Sequence, residues 1–303
     1  MRVALTGLSR FNRRTAAFLA RHGSADDSFV VFDRSTRLGK LRFLAELPRT
    51  DVIFSYWGTV NHSRALDLAT QLGKRVVQFW AGTDVLDAER AVQAGLLYRP
   101  LADRCIHLCE SEWTREELGA LGIRAHVVPL APLSSPPKGP ELAMPDAFSI
   151  LAYVGQARED FYGLPQILRL AQRFPTVPFR ICGNDGSSHA NTHPPNVTFL
   201  GWTEDVASLY HDASVFLRIP EHDGCSFSIR EALAWGRHVI ASYPYAHCLA
   251  AREDETLQVH LCGLKRAFDA GSLSPNWSGR DFVLREYDEA RVAEQLCPFL
   301  GMR

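Results

Sequence analysis

The 303-residue chain is expected to fold as α/β, with two doubly wound, Rossmann-like domains. Three observations predict this. Strand-like and helix-like segments alternate from end to end, and the strands are near-continuous apolar runs, as parallel sheets covered on both faces require. A stretch with six prolines, Pro129 to Pro145, interrupts the alternation once, as a linker would. Glycines and small polar residues cluster after strand upon strand, at the carboxyl ends where open parallel sheets bind ligands. The domains are read as 1–135, a linker at 136–147, a second domain at 148–285, and a closing helix at 286–303 expected to pack back on the first domain.

Composition narrows the function classes. Hydrophobic residues make up 46% and charged ones 22%, ordinary for a globular protein with sizeable cores, and a prior of ~150 residues per domain supports two. A net charge of −1 gives no overall field for nucleic acid, and none is expected as a partner. The first fifty residues are different, with ten Lys and Arg against four acids. That excess suggests an anionic partner there: a phosphate, an acidic acceptor, or weakly an anionic membrane surface. The competing reading is a solvated charged face. Seven cysteines without a C-x-x-C read as reduced thiols. The eleven histidines form no metal-binding pattern, so no metal is expected. There is no apolar leader core and no run of ~18 apolar residues. A cytoplasmic location follows, with peripheral membrane contact as a second expectation.

Taken in order, Arg2 to Thr6 is a short strand ending in Gly7-Leu8-Ser9, and Phe11 to Arg21 is a helix. Phe29 to Phe32 is the next strand, after which Leu38, Leu41, Leu44 and Leu47 recur at helical spacing. Asp51 to Tyr56 and Arg75 to Phe79 are strands flanking a helix from Ser63 to Leu72. After Trp80-Ala81-Gly82-Thr83-Asp84 one helical stretch runs to about Leu101. Arg104 to Cys109 is a strand, Thr114 to Leu121 a helix and His126 to Val128 a strand. The first turn reads G-L-S-R-F-N, not G-x-G-x-x-G, which argues against a nicotinamide dehydrogenase. Beyond the linker, Phe148 to Val154, Phe179 to Cys182, Val197 to Leu200 and Ser214 to Ile219 are strands, with helices at Leu164 to Phe174 and Glu204 to Asp212. Leu257 to His260 and Leu264 to Ala270 complete the second half, and Glu286 to Leu300 is the closing helix.

The most informative stretch is Pro220 to Ser242, P-E-H-D-G-C-S-F-S-I-R-E-A-L-A-W-G-R-H-V-I-A-S. It leaves an apolar strand, turns through glycine, opens a short helix and enters another strand at Val239. Asp223 stands in the turn and Glu231 on the helix, with seven residues between them. The amides of Gly224, Cys225 and Ser226 lie at the helix N-terminus, where unpartnered N–H groups and the helix dipole favour an anion. A nucleotide sugar fits such a turn, with phosphates on the amides and hydroxyls on the carboxylates. The structural alternative is a capping box, Ser228-x-x-Glu231, with Asp223 as a turn residue.

Three stretches carry a resemblance: L-A-Y-V-G-Q from Leu151, N-V-T-F-L-G-W-T-E-D-V from Asn196 with Leu209-Tyr210, and Val215 to Ser242. Together they are similar to the retaining GT-B glycosyltransferases, in particular the sucrose-synthase-like (group 1) family. The last stretch is similar to that family's P-S-x-x-E-G-F-G-L-x-x-x-E-A-M-A-x-G-x-P-V-I signature. The resemblance implies the GT-B architecture, two Rossmann-like domains facing a cleft. It also implies a hexosyltransferase-type enzyme moving a sugar from a nucleoside-diphosphate sugar to an acceptor with retention of configuration. The acceptor, whether a glycan, a lipid-linked molecule or a small molecule, is left open. No metal or other cofactor is implied, the donor being a co-substrate. Residue by residue, Glu231 would bind the ribose and Asp223 the transferred sugar. The Gly224, Cys225 and Ser226 amides would meet sugar and diphosphate, and Gly201-Trp202-Thr203 would hold the base. Gly155 and Gly183, after their strands, complete the donor side. The sequence departs from the family in three ways: Asp223 is one methylene shorter than glutamate, Tyr162-Gly163 stands where Lys-Gly is expected, and no sugar-contacting histidine is evident in the first half. A degenerate GT-B protein binding a nucleotide sugar or a partner without turnover is therefore one alternative, and a GT-B sugar-nucleotide epimerase another.

Arg158 is assigned to the diphosphate, against a solvated arginine beside Glu159 and Asp160. Gly7, His62, Trp80 and Asp84 are acceptor-side candidates. Asp84 also reads as the N-cap of the next helix. Trp57 and Trp80 read either as sugar-stacking or as core residues. Arg10, Arg13 and Arg14 could steer an anionic acceptor.

Overall fold

The computed structural model describes residues 1–133, 142–189 and 193–302, with the side chains of Ser9 and Arg10 outside the description. The first half of the linker read at 136–147, residues 136–141, therefore lies outside the described residues. The chain divides into two units, Met1–Pro132 with Tyr287–Arg303, and Leu133–Glu286.

The first unit runs β1 (Arg2–Gly7), α1 (Ser9–His22), β2 (Ser28–Phe32), α2 (Arg37–Glu46), β3 (Val52–Tyr56), α3 (Arg64–Gln71), β4 (Arg75–Trp80), α4 (Thr83–Gln93), α5 (Arg99–Ala102), β5 (Ile106–Cys109), α6 (Glu112–Ala120) and β6 (Ala125–Val127). Its six strands are ordered β2-β1-β3-β4-β5-β6, and every pairing is parallel. Every residue of β3 is buried, which is why that segment reads as an unbroken apolar run. Phe32, Phe43, Ile53, Leu66 and Val76 fill one part of the core, and Trp80, Val85, Leu118 and Ile123 another. A closing helix, described below as α12, belongs to this unit.

The second unit runs β7 (Ile150–Tyr153), α7 (Leu164–Arg173), β8 (Phe179–Cys182), β9 (Val197–Gly201), α8 (Val206–His211), β10 (Val215–Arg218), α9 (Phe227–Ala234), β11 (His238–Ala241), β12 (Leu249–Ala250), α10 (Asp254–Asp269) and α11 (Trp277–Glu286). Its six strands are ordered β12-β11-β10-β7-β8-β9, again all parallel. The chain winds one way from β7 through β8 to β9, and the other way from β10 through β11 to β12. The reversal lies between β7 and β10, the point where open sheets of this kind bind ligands outside their carboxyl ends.

Three helical expectations need correction. The single helix expected to reach Leu101 is two: α4 stops at Gln93, and Gly95 follows in the left-handed region at φ 70°, the usual way a helix is ended. The stretches Leu257 to His260 and Leu264 to Ala270 fall on one helix, α10, which ends at Asp269 with Ala270 as its C-cap. The stretch assigned to the closing helix starts later, as α12 (Glu289–Leu300), and α11 precedes it. Asp288 caps α12 by accepting from the amides of Ala290 and Arg291, and Glu289 pairs with Arg21 of α1 at 2.6 Å. All seven cysteines are free, and Cys109, Cys182 and Cys297 are buried.

Arg237 is wholly buried between α9 and β11, donating to the carbonyls of Trp235, Ala213 and Ala143 at 2.7, 3.2 and 3.0 Å. It ties the segment entering the second unit to the body of that unit. Burial without a carboxylate in contact brings its guanidinium down to about 10. Arg237→Met is expected to destabilise the protein by about 2–3 kcal/mol, because three carbonyls lose their donor at once. A lower urea midpoint would show it, and an unchanged midpoint would refute it.

Candidate active site

At the reversal point in the second sheet, the loop after β7 meets the turn after β10. Gly163, at φ 74°, lies so close to Ile219 that an added Cβ would sit 2.7 Å from its carbonyl oxygen. The amide of Glu221 donates to the Phe161 carbonyl at 2.8 Å. These contacts seat Pro220 to Ser226 against the β7 loop. From the other side Ser242 donates to the Pro220 carbonyl at 2.7 Å. The Tyr245 hydroxyl donates to the Gly224 carbonyl at 3.2 Å and receives the Ser226 amide at 3.4 Å.

The turn's strongest tether comes from within. Arg218, the last residue of β10, is 8% exposed, and Asp223 is 9% exposed. Its Nε donates to one Asp223 oxygen at 2.9 Å and a terminal nitrogen to the other at 3.3 Å. The guanidinium also faces the rings of Tyr162 and Tyr153, with centroids at 5.0 and 5.2 Å. Burial opposes its charge, but the Asp223 carboxylate prevails and holds its pKa above the ordinary arginine value. Sequence reading missed Arg218. The available signal was an arginine closing an otherwise apolar strand, Val215-Phe216-Leu217-Arg218, five residues before an aspartate, since charges of this kind are seldom buried unpaired.

The capping box weighed as the structural alternative, Ser228-x-x-Glu231, is not what opens α9. The N-cap of α9 is Ser226, which makes no side-chain cap bond and instead meets the Ser228 hydroxyl at 2.7 Å. Glu231 is half-buried and accepts from the Tyr210 hydroxyl of α8 at 3.3 Å. Burial, and then Glu231, keeps that phenol protonated far above its ordinary range.

The remaining donor-side candidates lie along the same edge. Gly155 follows β7, Gly183 follows β8, and Trp202 and Thr203 follow β9. The Gly183 amide donates to the Gly201 carbonyl at 2.8 Å, and the Gln156 amide donates to the Gly183 carbonyl at 3.0 Å. Glycine is required at 183, where φ is 85° and a Cβ would meet the Tyr153 ring at 2.7 Å. Trp202 is 62% exposed. Arg158 is exposed with its guanidinium 3.9 Å from the Phe161 ring centroid, while Glu159 accepts from Asn184 at 3.0 Å.

The acceptor-side candidates all belong to the first unit. Gly7 ends β1 at φ 103°, and a Cβ there would lie 1.7 Å from the Tyr56 carbonyl oxygen. Trp80 is a core residue, 1% exposed, with its indole N–H on His107 at 3.0 Å. It offers no face for a sugar. Trp57, by contrast, is half-buried at φ 95°. His62 is exposed, paired with Asp67 and set edge-on to Tyr98. Asp84 does not cap α4, whose N-cap is Gly82. Fully buried, it accepts from the amides of Gly58, Ala81 and Gly82 at 2.7, 2.9 and 2.9 Å. Among the described residues no group of three or more His, Cys, Asp or Glu could hold a metal ion, and no helix is long and apolar enough to cross a membrane.

No curated protein matches the chain by sequence. Residues 150–260 match the family described as group 1 glycosyl transferases. Among solved structures the chain is similar to HepE of Anabaena in complex with UDP-glucose, at 15% identity over 99% of each chain and a TM-score of 0.72. It is also similar to a sucrose-phosphate synthase of Thermosynechococcus elongatus, at 13% identity over 99% of this chain and 98% of that one, TM-score 0.69. A third is WaaG, a glycosyltransferase involved in lipopolysaccharide biosynthesis, at 15% identity over 97% of this chain and 99% of that one, TM-score 0.64. The fold is thus GT-B along essentially the whole chain. Its second unit carries a group 1 glycosyl transferase domain.

Two outcomes follow from the buried groups. Arg218→Met or Asp223→Asn alone strands or unbalances a charge in the interior and is expected to cost about 3–5 kcal/mol, whereas the double variant should recover more than half of that. Thermal or urea unfolding of the four proteins checks it, and strictly additive losses would refute it. For Asp84, burial outweighs the three amides and raises its pKa from 3.8 to about 6. The native state then binds the proton more tightly than the unfolded chain. Stability from this group, on the order of 3 kcal/mol, is full below the unfolded value and lost as pH rises through about 6. Asp84→Asn should lack that dependence when unfolding free energies are compared between about pH 4 and 7.

Proposed function

We propose that this chain transfers a sugar from a nucleoside-diphosphate sugar to an acceptor with retention of configuration and without a metal. The observation that carries the reading is the turn before α9, held at the sheet's reversal point inside a group 1 glycosyl transferase domain. The complex of HepE with UDP-glucose supports a uridine donor as the first to test.

In this reading the diphosphate meets Arg158 and the amides of Gly224 to Ser226, the last of these exchanging its long bond to the Tyr245 hydroxyl for a phosphate oxygen. Glu231 takes the ribose hydroxyls, and Asp223 takes the sugar. Arg218 occupies part of the Asp223 carboxylate, but an ionised carboxylate offers about four acceptor positions, so sugar hydroxyls can share it. Charge accumulates on the leaving diphosphate as the glycosidic bond breaks. Preorganised donors aimed at it contribute most, each typically ~3 kcal/mol. The acceptor is delivered on the face the diphosphate leaves, and the phosphate itself accepts the proton. The acceptor class stays open between glycan, lipid-linked and small molecules.

A second reading, binding without turnover, is favoured by Tyr162. Its ring fills the place where the resembled family has lysine and would collide with a Cβ on Gly155 at 2.6 Å. The two readings part under one assay. Wild type incubated with UDP-, GDP-, ADP- and TDP-sugars should hydrolyse or transfer from one of them, and the anomeric configuration of the product, read by NMR, should match the donor. Glu231→Ala should weaken donor use about a hundredfold, the effect of losing a charged hydrogen-bonding partner. Saturable donor binding with no turnover would establish the second reading. A product still carrying its nucleotide would indicate epimerisation instead.

A further inference from the structure

Helix α2 is turned inside out. Four leucines at helical spacing lead one to expect a core-facing stripe, yet Leu38, Leu41 and Leu44 are 64%, 65% and 41% exposed. Leu47 is buried, but it lies beyond the helix. The one buried residue of α2 is Phe43, on the opposite side. Residues three apart lie on neighbouring turns of one face, so the three leucines form a continuous ridge pointing away from the core. Isolated exposed leucines need no explanation, whereas a contiguous ridge marks a contact surface.

The ridge is bordered by cations. Arg37, Lys40 and Arg42 are exposed on the same helix, and its only acid, Glu46, is taken by Arg2 at 2.9 Å and Arg49 at 3.9 Å. Beside it a groove of about 510 Å³ runs between α2 and α3, with Leu44 and Leu68 among its apolar lining and Arg34, Lys40 and Arg64 beside Ser63 on its polar side. Leu68 is itself 40% exposed, and Leu72, one turn on, 52%. Arg34 is held in place with its guanidinium over the Phe43 ring at 5.2 Å. Protruding leucines rimmed by arginine and lysine, with no carboxylate left over on the helix, offer an apolar contact and counter-charges side by side. A protein partner would need an apolar surface studded with acids, whereas an anionic bilayer supplies both features at every point of contact.

We propose that α2, with the adjoining face of α3, docks the first unit on an anionic phospholipid bilayer, the leucines entering the acyl boundary and the cations meeting headgroup phosphates. This surface is separate from the residues assigned to donor binding, and its test does not depend on sugar transfer. The full chain is sedimented with phosphatidylcholine vesicles and with vesicles of phosphatidylcholine and phosphatidylglycerol. Binding is expected only with the anionic lipid and should weaken as salt is raised, since surface attraction is screened. Leu38→Gln with Leu41→Gln should reduce binding about tenfold, and Arg37→Gln with Lys40→Gln should reduce it while lessening the salt dependence. Circular dichroism and the thermal midpoint should not change in either variant, because all four side chains are exposed. Failure to bind anionic vesicles, or binding that the leucine variant leaves intact, overturns the proposal. A concentration-dependent dimer abolished by the leucine variant, with no vesicle binding, also overturns it and assigns the ridge to a second copy of the chain.

Discussion

The second unit's edge depends on one ion pair. Between β10 and α9 the chain makes an eight-residue excursion, Ile219 to Ser226, in which every exposed amide and carboxylate is a prospective ligand contact. Such an excursion loses conformational freedom at roughly 1–2 kcal/mol per residue when fixed, and backbone bonds at its flanks offset part of that. The Arg218–Asp223 pair ties the excursion to the end of the sheet itself. Its contribution to net stability is ambiguous, because two charges must be stripped of water before they attract. Its contribution to geometry is not. With one oxygen on Nε and the other on a terminal nitrogen, the carboxylate plane has little freedom, and with it the start of α9 is placed.

Much of the fold could be read from residue order because burial on both faces of a parallel sheet writes itself as apolar runs. The strands at Phe29, Asp51, Arg75, Phe179 and Val197 appear within a residue or two of where those runs place them. The short E-A-L-A-x-G stretch likewise located α9 and β11. What was not legible depends on direction in space. Helical spacing among Leu38, Leu41 and Leu44 identifies a helix but not which side meets the core, and Phe43 alone decides that. The Asp84 carboxylate reads as a cap from its position after Gly82, yet it is the second residue of α4 and gathers amides from two loops. Arg218 was hidden by the opposite error, a charged residue absorbed into an apolar strand. Its meaning emerges only when Asp223 folds back on it.

Arg218 also bears on the departure at Tyr162-Gly163. Gly163 is kept for a backbone reason, since its left-handed φ and the nearby Ile219 carbonyl exclude a side chain. Tyr162 is different: its ring stands edge-on to Tyr153 at 5.4 Å and faces the Arg218 guanidinium at 5.0 Å. A lysine here would bring a second cation to a buried guanidinium, and like charges at such separations repel by several kcal/mol in a partly desolvated setting. A phenol is neutral, and its ring face attracts the cation. The tyrosine and the strand arginine therefore fit one another here, the neutral ring lying beside a buried guanidinium whose charge Asp223 balances. On the proposed function this leaves the departing diphosphate to be stabilised mainly by dipoles, the amides of the turn and the start of α9, with Arg158 as the side-chain charge. Amides fixed by the fold need no reorganisation as charge develops, which is the condition under which such donors contribute most. An enzyme built this way would lean less on a lysine and more on the rigidity of its turn, and so on the ion pair that fixes it.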